Sequence, residues 1–174
     1  MDVKYISPFV ESVYHTMQTM LGEAPKRKEV VMKNDNHAHG DISGIVGFAS
    51  DKIYGSVALT FPTETAVKCY NMMVGDNVDI ITDDVRDTVG ELTNIIAGGA
   101  KKIYADQELS FDISIPTIVL GKNHVLSHKV GTPVVIVPFV IGEHPFVVEI
   151  SVKFEKNAAF KSKTPKTEAA SAQG

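Results

Sequence analysis

Two hydrophobic periods alternate along this chain, and the points where one gives way to the other mark its elements. Over residues 5–21, Ile6, Phe9, Val10, Val13, Met17 and Met20 recur at helical spacing. Ser7 before Pro8 starts that helix, and Gly22 stops it, with Pro25 beyond. Period two then takes over, and 28–33, 41–50 and 52–61 read as strands. In the last of these, Ile53, Gly55, Val57, Leu59 and Phe61 share one face. Ser50 and Asp51 make the hairpin turn that precedes it. A second helix spans 63–75, with Thr63 as its cap and Gly75 at its end. A third spans 83–104 and opens on Asp83 or Asp84, whose charge suits the positive end of a helix dipole.

Three more strands follow, at 111–120, 133–141 and 144–154. The last places Phe146, Val148, Ile150, Val152 and Phe154 on one face and Glu149, Ser151 and Lys153 on the other. Residues 142–145 form the hairpin before it. Residues 133–141 are apolar on both faces, so that strand is either sandwiched or meets another subunit. Pro138 within it lacks a ladder donor, which predicts a local edge or bulge.

The order helix, three strands, helix, helix, three strands predicts an α+β fold. Its plan is two similar helix-plus-three-strand halves, forming an antiparallel sheet with long helices packed on one face. The domain is expected over 1–154. Residues 155–174 contain Phe160 but no Val, Ile or Leu, too little apolar surface to offset the entropy of ordering. They read as a flexible tail.

Composition narrows the class. A chain of 174 residues that is 44% hydrophobic and 22% charged supports one ordinary globular domain. A formal net charge of −4 gives no general basic footprint, so neither nucleic acid nor a membrane is expected as partner. The N-terminal segment has an apolar stripe rather than an apolar run, so it reads as neither signal peptide nor membrane span. The single cysteine, Cys69, excludes an intrachain disulfide and falls on the apolar side of the second helix, as core rather than nucleophile. A cytoplasmic domain fits these features.

The third helix carries the candidate chemistry. On a wheel of about 100° per residue, Val85, Val89, Leu92, Ile96, Gly99 and Ile103 fall within an arc of about 80°, the buried face. Asp87, Glu91, Asn94, Gly98 and Lys101 line the opposite side at spacings of three and four. Glu91 and Asn94 lie about 60° apart around the axis and about 4.5 Å apart along it, so both reach the same external object. Each of the paired glycines costs roughly 1 kcal/mol relative to alanine. Gly99, on the buried face, lets a neighbouring element pack closely; Gly98, on the outer line, leaves no side chain to hold a partner away.

A Glu and an Asn at this spacing are common on solvated helices, so the pair alone assigns nothing. A metal site is not expected. Di-iron bundles use Glu-x-x-His, and Asn94 stands where the His would be. His37 and His39 alternate without a further ligand set, and His124, His128 and His144 sit in turn-like sequence with no triad pattern. No phosphate-binding glycine loop or nucleophile elbow occurs.

Asp87-x-x-x-Glu91-x-x-Asn94 within DTVGELTNIIAGGAKK, followed about twenty residues on by Pro116 in SIP, resembles the CheC/CheX/FliY family of chemotaxis phosphatases, and the CheX members most closely. The element order over roughly 3–154 fits as well. CheC-like members carry a second Glu-x-x-Asn on the equivalent first helix; here Glu11 is followed three later by Tyr14, so that site is absent. The interval to Pro116 is slightly shorter than the family pattern. The resemblance implies a phosphatase acting on the phospho-aspartate of a CheY-type response regulator, with Mg²⁺ held by the regulator and no cofactor of its own. It further implies that Asn94 positions the attacking water and Glu91 engages the regulator's lysine, with Asp87, Gly98 and Lys101 meeting the partner. It implies a homodimer joined through sheet edges, which the doubly apolar 133–141 would suit. A binding module without turnover and a structural dimer remain alternatives.

Overall fold

A computed structural model describes residues 3–129 and 131–155. After one 3-10 turn at Val3–Tyr5, the helices are α1 (Ser7–Leu21), α2 (Thr63–Val74) and α3 (Asp83–Ala105). The strands are β1 (Lys26–Arg27), β2 (Val31–Met32), β3 (Ile42–Ala49), β4 (Ile53–Phe61), β5 (Asp112–Ile113), β6 (Thr117–Leu120), β7 (Val134–Ile141) and β8 (His144–Phe154). The expected tail, apart from Glu155, lies outside the described residues.

Local chemistry explains most boundaries. α1 and α2 end on Gly22 (φ 75°) and Gly75 (φ 71°), left-handed positions that glycine adopts without a Cβ clash. α3 is capped by Thr82, whose hydroxyl accepts from the Val85 N–H at 3.2 Å. The cap of α2 differs from expectation. Thr63 is itself the first helical residue, and Asp41, just before β3, accepts both its N–H (2.8 Å) and its hydroxyl (2.9 Å). Those bonds hold the Asp41 carboxyl below its usual range.

All strand pairs are antiparallel, in the order β1-β7-β8-β4-β3-β5, with β2 also on β7 and β6 also on β3. The two halves are present, but they exchange their first strands. The outer strand of the first half pairs with β7 of the second, and the outer strand of the second pairs with β3 of the first. The expected strand 28–33 is reduced to β2, with β1 lying just before it, and the expected strand 111–120 is broken into β5 and β6. Between Arg27↔Phe139 and Val31↔Ile136 the register slips by one residue, and it slips by one again between Ile113↔Phe48 and Thr117↔Ile45. Each outer strand therefore carries a bulge. Pro138 accounts for the first. Its carbonyl accepts from Lys28 N at 2.8 Å, and a strand residue's nitrogen points the same way as its carbonyl, so the missing N–H faces the bulge.

The doubly apolar strand β7 is interior, flanked by β8 on one side and by β1 and β2 on the other, so it offers no sheet edge. Its second face is only partly covered: Ile136 is buried there, while Val134, Pro138 and Val140 are half-buried. The helices bury one face, where Val57, Leu59, Phe61, Val137, Phe139, Phe146, Val148 and Ile150 meet Phe9, Val13, Met17, Leu92 and Ile96 in one core. Burying each such side chain contributes about 1.5–3 kcal/mol relative to exposure. The segment between β6 and β7 crosses the opposite face. His124 Nε2 lies 2.7 Å from Ser43 Oγ, and His128 Nδ1 lies 2.7 Å from Ser56 Oγ. Glu149, placed by alternation on the polar face, is fully buried there with Ser151. Lys33 Nζ donates to both Glu149 carboxylate oxygens at 2.7 Å, and His128 Nε2 lies 2.9 Å from one of them. A buried carboxylate requires such partners, and they come from segments far away in sequence.

Candidate active site

Two close approaches set the rotation of α3. A Cβ on Gly44 of β3 would collide with the Thr93 side chain and lie 3.1 Å from the Val89 carbonyl. Thr93, fully buried, turns its hydroxyl back to that carbonyl at 2.6 Å. A Cβ on Gly99 would collide with Ser12 of α1, whose hydroxyl donates to the Ile96 carbonyl at 2.8 Å. The expected close neighbour of Gly99 is thus α1. Held on both sides, the helix buries Val85, Val89, Leu92 and Ile96 and turns Asp87 and Glu91 to solvent, with Asn94 half-buried beside them.

Glu91 and Asn94 open onto a groove of ≈ 450 Å³, lined also by Asp87, Gly90, Ile115, Pro116 and Ile118. α3 forms one wall and residues 115–118 the other. The second wall exists because of the bulge between β5 and β6. Ser114 occupies both polar backbone groups of Gly47, donating its N–H to the carbonyl at 2.8 Å and accepting the Gly47 N–H on its hydroxyl at 3.0 Å. That hydroxyl in turn donates to the Ile115 carbonyl at 3.1 Å. The strand resumes only at Thr117, so Ile115 and Pro116 are thrown outward toward α3.

The expected site residues separate into two groups. Asp87, Glu91 and Asn94 line the groove together. Gly98 lies farther along the helix, where a Cβ would meet nothing within 4 Å. Lys101, half-exposed, has its ammonium 3.6 Å from the Asp112 carboxylate, toward β5. Among the described residues, neither Glu91 nor Asn94 forms a side-chain hydrogen bond or ion pair, so both are available to a visitor. The carboxylate can bind a cation, and the carboxamide can donate and accept at once.

Sequence reasoning did not single out Gly90, Ile115 or Ile118. A Cβ on Gly90 would stand 3.3 Å from Ile118 Cδ1 and 3.8 Å from Pro116 Cβ, so this glycine sets how near the second wall approaches. A glycine inside a strong helix was its signal. Cys69 is buried in the core, and burial pushes its thiol up to about 12, which leaves it inert. Among the described residues, no group of three or more His, Cys, Asp or Glu is placed to hold a metal ion.

Known proteins resemble the chain over most of its length. Residues 42–140 match the family model described as chemotaxis phosphatase CheX. The chain is 28% identical over 155 residues to the CheY-P phosphatase CheX of Thermotoga maritima, covering 88% of this chain and 98% of that protein. A crystal structure of a CheC-like superfamily protein from Shewanella sp. PV-4 superposes with a TM-score of 0.82 at 35% identity, over 88% of this chain and 99% of that one. CheX from Borrelia burgdorferi, solved in a complex with CheY, BeF₃ and Mg²⁺, superposes with a TM-score of 0.74 at 26% identity, over 86% of this chain and 97% of that one.

Proposed function

The chain belongs to the chemotaxis phosphatase CheX family, and from that premise we propose that it hydrolyses the phospho-aspartate of a CheY-type response regulator in the cytoplasm. The observation that carries this reading is that Glu91 and Asn94 project together from one immobilised helix into an open groove. An acyl phosphate already has a good leaving group, the aspartate carboxylate. Hydrolysis needs a water held in line with phosphorus; its oxygen bonds to phosphorus as the acyl P–O bond breaks. The regulator's own carboxylates hold the Mg²⁺ that neutralises the phosphoryl oxygens. What this chain adds is positioning.

Asn94 suits that task because a carboxamide can accept from the water and donate to a phosphoryl oxygen without changing charge. Glu91 reaches the same object and pairs with the regulator's active-site lysine, fixing the docked pose. Asp87 and Gly98 extend the contact along the helix, and Lys101 stands at its far end. The enzyme needs no cofactor of its own. A homodimer joined through the edge formed by β1 and β2, where Val31 and Met32 are exposed, would leave the groove free on both subunits. A single boundary at monomer mass in sedimentation at micromolar concentration would exclude that dimer.

The direct test uses a response regulator charged with a small phosphodonor and Mg²⁺. Wild type should accelerate loss of the phosphoryl group. Asn94→Ala should lose on the order of 10²-fold in rate while still binding, and Glu91→Ala should weaken binding modestly as well. Decay at the same rate with and without the wild-type chain, across the organism's regulators, would leave only a binding module of this fold.

A further inference from the structure

We propose that Ile115 is an apolar anchor for the regulator, seating against an apolar patch beside its phospho-aspartate; this deepens the phosphatase reading and rests on it. Ile115 is 85% exposed, against 46–63% for the other exposed large hydrophobic side chains among the described residues. It lines the same groove as Glu91 and Asn94, on the opposite wall, so the surface it offers is continuous with the reacting groups.

Its presentation is built rather than incidental. The bulge ejects it from the strand, the preceding Ser114 is bonded to both backbone groups of Gly47, and Pro116 restricts Ile115 to extended backbone. An anchor held in place beforehand gives up little entropy on binding. The polar pair alone is a poor source of affinity, because exposed charges exchange one set of partners for water and back at small net gain. A desolvated apolar side chain near the centre of an interface is the usual remedy.

The test measures steady-state hydrolysis of a phosphodonor-charged CheY-type regulator with Mg²⁺ by wild type, Ile115→Ser, Ile115→Leu and Val125→Ser. Val125 is 55% exposed on the segment that crosses the helix-free face, and it serves as a control. Ile115→Ser should raise KM about tenfold or more, with kcat within about twofold of wild type. Ile115→Leu should stay near wild type, and Val125→Ser should change nothing. An unchanged KM in Ile115→Ser overturns the anchor, as does loss of a dimer in sedimentation with KM unchanged, which would assign the side chain to a second copy. If wild type turns over no regulator, the phosphatase reading fails separately. The anchor is then read from binding of a BeF₃-activated regulator, where Ile115→Ser should weaken Kd about tenfold; equal affinity, or no binding by wild type, overturns it.

Discussion

Ser12 of α1 occupies the space that a Cβ on Gly99 of α3 would need, and its hydroxyl closes the contact by donating to the Ile96 carbonyl at 2.8 Å. The adjacent glycine, Gly98, faces open space. Two neighbours of one type therefore have opposite energetics. Gly99→Ala gains helix propensity but overpacks the crossing, for a net loss of about 1–2 kcal/mol. Gly98→Ala meets nothing and should gain about 0.5–1 kcal/mol. Urea midpoints that move in opposite directions would bear this out; equal shifts would not.

Asn94→Asp separates positioning from base catalysis. A carboxylate general base at this site would retain turnover. A carboxylate facing the negatively charged phosphoryl group instead repels it and cannot donate. The expected loss is on the order of 10²-fold, as for Asn94→Ala. Near-wild-type kcat in Asn94→Asp would discard the positioning role.

Glu91 is exposed, so its proposed part in docking can be isolated with salt. Glu91→Gln keeps the shape and removes the charge. It should raise KM for the phosphorylated regulator most at low ionic strength, and the gap from wild type should narrow as salt screens the pair. A salt-independent gap would point to shape, not charge.

The Lys33–Glu149–His128 cluster predicts how stability responds to acid. Burial by itself would push the Glu149 carboxyl up; the bonds from His128 and Lys33 outweigh it and hold the group below its usual value of 4.5. A carboxyl lower in the folded state than in the unfolded one stabilises above the unfolded value. That contribution is lost as pH falls through the folded value. Wild type should therefore lose stability as pH drops below about 4.5, a slope that Glu149→Gln should reduce. At neutral pH the same variant leaves a buried ammonium without its carboxylate and should cost about 3–5 kcal/mol. Denaturant titrations from pH 3 to 7 read both effects, and a variant as stable as wild type at pH 7 would contradict the burial of this charge cluster.

What the chain's pattern determined by itself was local. Helical and strand periods, with one doubly apolar run at 133–141, located every long element. Gly22 and Gly75 located two helix ends. The wheel of α3 separated Glu91 and Asn94 from the buried stripe and assigned Gly99 to it. These follow from backbone geometry within a few residues, which sequence encodes directly. Tertiary structure decided the rest. Which strand lies beside which, and so that β7 is interior, depends on the exchange of outer strands between halves. The burial of Glu149 depends on Lys33 and His128, 116 and 21 residues away. The groove has a second wall only because a bulge opposite β3 brings 115–118 against Gly90. Contacts between distant segments carry no periodic signature, so the helix wall of the candidate groove was legible in the sequence, while of the opposite wall only Pro116 was, through its motif, and its meeting with the helix was decided by the sheet edge.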